Sequence, residues 1–376
     1  MAQIPTLVAL AHLRWDWVFQ RPQHLLSRLA RTYHVLFVEE PVADPAARAP
    51  DWELRQVAPG VTVCRAHTAV AEPGFNATQN AVLGPMLADL WARLHVQDCV
   101  AWFYTPMALA LLDRLPARAV VYDCMDELSA FKHAPPDIHQ RERDLFRVAD
   151  VVFTGGPSLY RAKQHLHANI HCFPSSVDAA HFGRARGAAA EPADQFGLPH
   201  PRLGFFGVID ERLDIGLVDT LARAHPDWQL IMVGPVAKID PASLPRRPNT
   251  HYLGQRAYAD LPGYLSGWDA CLLPFARNGA TRFISPTKTL EYMAAEKPIV
   301  STPIRDVAEP YGDIVYLGQT PQQFVAACEA ALAADQAERD RRTAGMRAVL
   351  ARTSWDRTAA EMTQHIALVL ARRQAA

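Results

Sequence analysis

Residues 285–300 place a lysine and a glutamate at a spacing that suits the binding of a nucleotide diphosphate. Pro286 favours the start of a helix, and Lys288 and Glu291 then fall within its first turns on the same face. Backbone N–H groups at a helix start are unpaired and attract anions, so these amides and the Lys288 ammonium would together hold a phosphate. The Glu291 carboxylate would accept hydrogen bonds from a ribose diol. The alternative is an ordinary ion pair on an amphipathic helix.

The stretch SPTKTLEYMAAEKPIV closely resembles the donor-binding motif of GT-B glycosyltransferases related to family four. In that family a Pro-x-Lys-x-x-Glu helix grips the sugar nucleotide. The resemblance implies an α/β fold of the GT-B type, in which two doubly wound, Rossmann-like domains face a central cleft. It covers nearly the whole chain but is specific only at this motif. The family often has a second glutamate eight positions before the helix glutamate, beside the transferred sugar, where this chain has Phe283.

Short apolar runs alternate with amphipathic helical stretches along the chain, a pattern typical of parallel sheets covered by helices. A stretch rich in Gly, Ala and Pro at 183–200 predicts a linker. We therefore expect an acceptor-side domain over 1–182, a nucleotide-sugar-binding domain over 201–352, and a last helix over 353–376 that either packs on the first domain or caps the second. Predicted strands cover 7–10, 35–38, 61–64, 100–104, 119–122, 151–154, 202–206, 229–233, 250–253, 270–273, 298–301 and 314–317.

Further donor contacts are predicted where strands of the second half end. Gly207 follows such a strand and permits close approach of the backbone. The resembling family has a basic residue in this turn that reaches the diphosphate. Arg212 is the basic candidate here, although acids surround it, and a surface ion-pair cluster is the alternative. Lys238, after the next strand, is either a second cation of the site or a solvated loop lysine.

The loop that begins at Gly254 resembles the part of the family that cups the nucleobase. Gln255 is a candidate because an amide can pair with a base edge through its donor and acceptor together. Arg256 and Tyr258 are further candidates, and helix packing is an equal alternative for Tyr258. The predicted donor-binding set is Gly207, Arg212, Lys238, Gly254, Gln255, Tyr258, Ser285, Pro286, Thr287, Lys288, Thr289 and Glu291.

Residues 278–284 would face the transferred sugar if the resemblance holds. Arg282 is a predicted catalytic cation together with Lys288, because guanidinium geometry matches the phosphate oxygens of a leaving diphosphate. The sequence has no DxD motif of the kind that holds a divalent ion. We therefore expect neither a metal ion nor another cofactor, with the nucleoside-diphosphate sugar as substrate.

In the first half, the loop after the opening strand collects side chains that suit a carbohydrate. Aromatic rings stack on sugar faces, while arginine, glutamine and histidine donate hydrogen bonds. Asp126, after a later strand, is a candidate catalytic base toward an acceptor hydroxyl, with helix N-capping as the alternative. The predicted acceptor-binding residues, each of which could instead be structural, are His12, Trp15, Asp16, Arg21, Gln23 and His24.

Composition narrows the class of protein. The chain has 376 residues, a formal net charge of −1 and no basic run of the kind that binds nucleic acid. No apolar stretch reaches the roughly 18 residues needed to span a bilayer. The six cysteines are scattered without metal-ligand spacing, so we expect reduced thiols in a cytoplasmic protein. Peripheral contact with the inner face of the membrane stays open.

The residues and the resemblance together predict an enzyme of the hexosyltransferase type. It would move a sugar from a nucleoside-diphosphate sugar to a carbohydrate or lipid-linked acceptor in cell-surface polysaccharide biosynthesis. The resemblance implies retention of stereochemistry, and the missing DxD motif favours metal-independent transfer. Two rivals are a GT-B sugar-nucleotide epimerase and a catalytically silent nucleotide-binding partner of a polysaccharide assembly complex. The phenylalanine at 283 keeps the second rival open.

Overall fold

The computed structural model describes residues 4–46, 49–187 and 189–375, and these form two compact units. The first unit holds the chain up to Ser129, His133–Pro174 and the chain from Trp355 onward. The second holds Ala130–Lys132 and Ser175–Ser354. The change of unit after Pro174 lies ahead of the predicted linker at 183–200, of which residue 188 falls outside the described ranges.

The first unit is built on one sheet with helices packed against it. Its strands are β1 (Thr6–Ala11), β2 (His34–Glu39), β3 (Val42–Ala43), β4 (Asp51–Ala58), β5 (Val61–Thr68), β6 (Cys99–Phe103), β7 (Ala117–Cys124), β8 (Val151–Thr154) and β9 (Ile170–Cys172). Its helices are α1 (Arg21–Leu29), α2 (Ala77–Arg93), α3 (Ile138–Val148) and α4 (Pro157–Lys163). Among the described residues the strand order is β3-β5-β2-β1-β6-β7-β8-β9, and β4 pairs antiparallel with β5. The other pairs are parallel.

The second unit contains a parallel sheet. Its strands are β10 (Arg202–Phe206), β11 (Gln229–Val233), β12 (Thr250–Gly254), β13 (Ala270–Leu273), β14 (Ile299–Ser301) and β15 (Tyr316–Leu317). Its helices are α5 (Ala179–Gly183), α6 (Ala193–Phe196), α7 (Ile215–Ala224), α8 (Leu261–Ser266), α9 (Thr287–Ala294), α10 (Arg305–Tyr311), α11 (Pro321–Ala333) and α12 (Gln336–Leu350). In the described residues the strand order is β12-β11-β10-β13-β14-β15. All residues of the central strands β10, β11 and β13 are buried, which explains why they read as apolar runs after the first residue of β10 and of β11.

The segment whose composition predicts a linker is held within the second unit. Gln195, in α6, is completely buried. Its Nε2 donates to the backbone oxygen of Tyr264 at 3.0 Å, and its Oε1 accepts from Nε1 of Trp268 at 2.7 Å. These tertiary hydrogen bonds fix a stretch whose Gly, Ala and Pro content alone indicates weak local structure.

The last helix, α13 (Trp355–Ala375), belongs to the first unit. Trp355 is completely buried there and stacks on His24, with ring centroids 4.9 Å apart. Asp356 accepts from Arg28 at 3.0 Å and from Arg31 at 2.8 Å, which fixes the start of α13 against α1. Neither α13 nor any other helix among the described residues is both long and apolar enough to cross a membrane.

Candidate functional site

The strand order of the second sheet reverses between β10 and β13, and this is where its candidate site lies. The chain runs outward through β11 and β12 on one side of β10, and through β14 and β15 on the other side of β13. At such a switch point the loops after the two central strands diverge and leave a crevice at their carboxyl ends. The loop after β10 begins at Gly207, and the loop after β13 leads into α9.

Three glycines line the carboxyl ends of neighbouring strands in this sheet. Gly207, Gly234 and Gly254 have φ angles of +139°, +148° and +73°, which favour glycine. The Gly207 amide donates to Val233 O and the Gly234 amide to Gly254 O, both at 2.8 Å. A Cβ on Gly234 would lie 1.9 Å from the carbonyl oxygen of Gly207. At this edge the backbones lie too close together for side chains. We call the surface formed by Gly207, Gly234 and Gly254 the platform.

Lys288 extends over this platform. Its Cε lies 2.1 Å, and its Nζ 2.7 Å, from the point that a Cβ on Gly207 would occupy. Nζ also lies 5.8 Å from the centroid of the Phe205 ring. The lysine predicted from the motif is thus brought to the end of β10, beside the glycine predicted with it.

Helix α9 is fixed at both of its ends relative to this edge. The Ser175 hydroxyl donates to Ser285 O at 2.8 Å just before the helix, and the Phe206 amide donates to the Tyr292 hydroxyl at 3.2 Å. Its N-cap residue, Pro286, provides no side-chain hydrogen bond to the first amides. Thr289, 1% exposed, has a buried hydroxyl with no hydrogen-bond partner among the described residues. The helix start therefore offers donors to an anion.

Glu291 lies one turn after Lys288 and is 7% exposed. Burial raises the pKa of Glu291 to about 7, although the neighbouring Lys288 ammonium acts in the opposite direction. Burial of a carboxylate without several donors penalises its charged form. Hydroxyl groups that donate to this carboxylate would therefore be favoured, because they stabilise the charge that the fold alone does not.

Arg212 and Lys238, predicted as cations for a diphosphate, lie close to the same aromatic ring. The Phe131 ring centroid is 5.4 Å from the Arg212 guanidinium carbon and 4.5 Å from Lys238 Nζ. Arg212 also donates to the buried carboxylate of Asp210 at 2.7–3.1 Å. Lys238 Nζ lies 3.9 Å from Glu211 Oε1. The ion pair of the alternative interpretation is present for Arg212, and Lys238, whose alternative was a solvated loop lysine, has an acidic neighbour and an aromatic one.

The sequence interpretation did not include Phe131 in the site. The residue follows β7 in the first half of the chain, yet Ala130–Lys132 belongs to the second unit. Lys132 donates from its backbone amide to Glu211 Oε1 at 3.2 Å and from Nζ to Lys238 O at 3.3 Å. These two contacts join residues 79 and 106 positions apart, and no local pattern in the sequence signals them.

The predicted nucleobase contacts have different environments. Gln255 is exposed after Gly254. Arg256 donates to the Tyr264 hydroxyl and to Asp194, both at 2.7 Å, so its guanidinium is bound within the protein. Tyr258 stacks on His181, with ring centroids 4.3 Å apart and planes within 9°. Packing against α5, the alternative interpretation of Tyr258, is therefore observed.

Arg282 is exposed after a 3-10 turn at Gly279–Thr281. Its guanidinium carbon lies 5.1 Å from the ring centroid of its neighbour Phe283. Asn278 and Thr281 cap this turn reciprocally at 3.1 Å, so the loop has a defined backbone. In the described residues Arg282 forms no ion pair, which leaves its charge available to a ligand.

In the first unit, three predicted acceptor residues have structural roles. Arg21 is 5% exposed and binds the buried Asp123 carboxylate at 2.8–3.1 Å and Phe173 O at 2.8 Å. Gln23 is 1% exposed and donates to Trp15 O at 2.7 Å. His24 stacks on the last helix, as described above. Their polar or aromatic groups bind protein, because the loop and α1 must be fixed to the sheet. The structural alternative therefore describes these three residues.

The other predicted residues of this unit differ in exposure. Trp15 is buried edge-on against Phe37, with centroids 5.1 Å apart, whereas the Asp16 side chain is 54% exposed and pairs with Arg55. His12 and Asp126 are half-buried. Asp126 is followed by a 3-10 turn at Leu128–Ala130, and the next α-helix begins at Ile138, with Asp137 as its N-cap residue. Among the described residues no α-helix begins at Asp126, and its role as a base or as a cap stays a prediction.

A buried carboxylate that the sequence interpretation missed anchors the loop after β1. Glu39, at the end of β2, is completely buried and accepts from Trp15 N at 2.7 Å, Arg65 at 2.7 Å and Arg14 at 3.2 Å. The adjacent Glu40 is half-buried, and burial raises its pKa to about 7 while Arg14 opposes the shift. Charge alternation in the sequence did not distinguish this pair from surface acids.

The candidate site falls within a region that matches a known family. Residues 200–334 match glycosyl transferases group 1. The Bacillus subtilis (strain 168) protein named "Putative teichuronic acid biosynthesis glycosyltransferase TuaH" is 26% identical over 360 residues, which span 88% of this chain and 89% of that protein.

Solved structures share the fold. The sucrose-phosphate synthase of Thermosynechococcus elongatus has a TM-score of 0.74 at 16% identity, covering 97% of this chain and 99% of that chain. The E. coli trehalose-6-phosphate structure bound with UDP-2-fluoro glucose has a TM-score of 0.71 at 12% identity, with the same coverage. The expected α/β fold of the GT-B type is confirmed. Over residues 200–334 the chain is therefore similar to the family that its helix motif resembles.

Proposed function

We propose that the protein transfers a sugar from a nucleoside-diphosphate sugar to a carbohydrate or lipid-linked acceptor in cell-surface polysaccharide biosynthesis. The observation that carries this proposal is the position of Lys288 over Gly207 at the switch point, with buried Glu291 one turn further along α9. The name of the Bacillus subtilis relative, which refers to teichuronic acid, supports the polysaccharide assignment. The UDP-2-fluoro glucose in the E. coli structure supports a sugar nucleotide as donor.

In this mechanism the α9 start and the Lys288 ammonium bind the diphosphate. Glu291 accepts hydrogen bonds from the ribose. As the bond from the sugar to the diphosphate breaks, negative charge grows on the departing phosphate oxygens, and Lys288 stabilises it there. Arg282, exposed and without an ion pair in the described residues, is the second cation of this step. Retention of stereochemistry is part of the proposal by family resemblance.

Metal independence is also part of the proposal. Lys288 supplies a positive charge at the carboxyl edge of the sheet, and Arg212 and Lys238, each beside an acidic partner, present cationic groups there as well. Fixed cations can replace a divalent ion at a leaving diphosphate. Asp210 holds the Arg212 guanidinium through both of its oxygens, so this cation needs little reorganisation when the diphosphate binds.

A thermal-shift panel tests the donor assignment. UDP, GDP, dTDP and ADP would each be added to the protein, with the free nucleosides as controls. A ligand at 100 times its Kd stabilises the fold by about 2.7 kcal/mol, so a true donor nucleotide should raise Tm by several degrees. Stabilisation by one diphosphate and not by its nucleoside supports the site. No stabilisation by any of them contradicts it, and binding without transfer or hydrolysis would favour a silent partner.

A further inference from the structure

The loop after β10 is fixed against the loop that leads into α9. Arg212 O accepts from Ala276 N at 2.8 Å, and Asp214 N donates to Pro274 O at 2.8 Å. Nδ2 of Asn278 donates to Glu211 O at 2.8 Å. Glu211 is therefore held beside Asn278, at the start of the loop that carries Arg282, and also lies near Lys238.

The two carboxylates of this loop differ in how they are used. Asp210 binds the Arg212 guanidinium through both of its oxygens. Glu211 uses Oε1 for the Lys132 amide at 3.2 Å and for Lys238 Nζ at 3.9 Å. Its Oε2 atom is buried and accepts no hydrogen bond from any described residue. A buried carboxylate oxygen without a donor costs free energy. A ligand group that donates a hydrogen bond to this atom would remove that cost.

The chemistry of the surroundings indicates which group that is. A phosphate would be repelled by Glu211 and attracted by the neighbouring Arg212 and Lys238, so the diphosphate belongs at the cations and a hydrogen-bond donor belongs at the carboxylate. A sugar attached to that diphosphate presents hydroxyl donors within a few ångströms of it. The Lys132 amide and Lys238 Nζ both approach Oε1, so Oε2 is the oxygen left for such a hydroxyl.

We propose that Glu211 is a specificity-determining residue, which accepts a hydrogen bond from a hydroxyl of the transferred sugar. This inference rests on the proposed function, because it places the donor diphosphate at Arg212, Lys238 and Lys288. Glu211 binds the sugar, whereas Asp210 positions Arg212 to bind the diphosphate. The two neighbouring acids therefore have separable effects on binding.

Calorimetric titration of matched ligand pairs tests the proposal. The pairs are UDP with UDP-glucose, GDP with GDP-mannose, dTDP with dTDP-glucose and ADP with ADP-glucose, and the pair that the parent protein binds most tightly is used. Glu211→Gln keeps the size of the side chain. It should weaken the nucleotide sugar by about tenfold and leave the free diphosphate within about twofold. Asp210→Asn, the matched control, should weaken both members of the pair alike.

Deoxy-sugar donors sharpen the test. Among donors that each lack one sugar hydroxyl, one should bind the parent and Glu211→Gln equally, because the hydrogen bond is already missing. Equal weakening of diphosphate and nucleotide sugar by Glu211→Gln, or no change in either, would overturn the proposal. A parent protein that binds none of the pairs would instead overturn the proposed function, which distinguishes the two failures.

Discussion

Lys288 crosses Gly207 so closely that its Cε lies 2.1 Å from the point where any other residue at 207 would place its Cβ. The two residues are about eighty positions apart and follow different strands, β13 and β10. The sheet brings them together because the strand order reverses between these strands. The roles of the two residues are therefore linked. Because Gly207 has no side chain, Lys288 has room to reach the carboxyl ends of the strands.

Substitution of this glycine tests that link. Gly207→Ala should displace Lys288 and weaken binding of the donor diphosphate by about tenfold or more. It should also cost about 1–3 kcal/mol of stability, because φ at 207 is +139°. Titration calorimetry and urea unfolding measure the two effects.

Gly197→Ala is the matched control. Gly197 has a φ of −81° and no heavy atom within 4 Å of its Cβ position. This variant should leave diphosphate affinity unchanged and stability within about 0.5 kcal/mol. If Gly207→Ala behaved like Gly197→Ala, the contact between Lys288 and Gly207 would have no role in binding.

Glu291 should make the stability of the donor-free protein depend on pH. Its folded pKa of about 7 lies above the ordinary value of 4.5, so the fold favours the neutral acid. The stabilisation is complete below about pH 4.5 and is lost as the pH rises through about 7, by up to about 3 kcal/mol in total. Glu291→Gln stays neutral and should lack this loss, as urea unfolding at pH 5 and pH 8 would measure. Parallel pH profiles for the parent and the variant would refute the assignment.

Nucleotide binding should show the opposite pH trend. A ribose diol donates hydrogen bonds to the ionised Glu291 carboxylate, so affinity for the donor diphosphate should increase between pH 6 and pH 8. The Glu291→Gln variant should bind about tenfold more weakly at pH 8 and show a flatter profile. Calorimetry across this range checks both statements, and a parent profile as flat as that of the variant would contradict them.

Arg21 should contribute to stability and not to acceptor binding. Its ion pair with Asp123 is buried, with side chains 6% and 0% exposed. Removing one partner of a buried pair costs about 3–5 kcal/mol, so Arg21→Met should lower the free energy of unfolding by that amount. Arg118→Met, in an exposed pair with Asp98 at 3.2 Å, should cost less than about 1 kcal/mol. If both variants lost less than about 1 kcal/mol of unfolding free energy and only Arg21→Met lost transfer, the result would support the predicted acceptor role of Arg21 instead.

Saturating chelator should leave transfer unchanged. The cations Arg212, Lys238 and Lys288 can neutralise the diphosphate without a divalent ion. Turnover would be measured after dialysis against EDTA, with and without added magnesium or manganese. Loss of turnover that either metal restores would contradict metal-independent transfer.

Most strands were predictable because they are buried on both faces and read as apolar runs, as β1, β6 and β13 do. Each predicted strand overlaps an observed one, including β8, β10, β11 and β13 at their observed bounds. Strand β4, with the sequence DWELRQVA, was not predicted. Its exposed charged residues hide the alternation of half-buried and exposed positions, and it lies at the sheet edge, where it pairs with β5. The short strands β3 and β9 offer too few residues for a pattern.

The site was predictable where its residues belong to one motif or directly follow a predicted strand, as Gly207 does. Lys288 and Glu291 belong to one helix, so their spacing revealed their common face. Phe131 joins Arg212 and Lys238 through a tertiary contact that no window of the sequence contains. Arg21 looked like a ligand because the sequence shows its charge but not Asp123, which neutralises it in the core. The residue types in the sequence indicated the chemistry of the site. Which of these side chains can contact a ligand depends on burial and on protein partners, which the sequence does not show.

The central claim is that Lys288 binds the donor diphosphate, and Lys288→Ala tests it most directly. Affinities for the preferred nucleoside diphosphate and for its free nucleoside would be measured on one preparation, beside Arg305→Ala, whose exposed helical pair with Glu309 serves as the control. We predict that Lys288→Ala loses diphosphate affinity by about tenfold or more while nucleoside affinity is unchanged, and that Arg305→Ala changes neither. Normal diphosphate affinity in Lys288→Ala, with only the roughly 0.2–0.5 kcal/mol stability loss of a surface pair, would contradict the account.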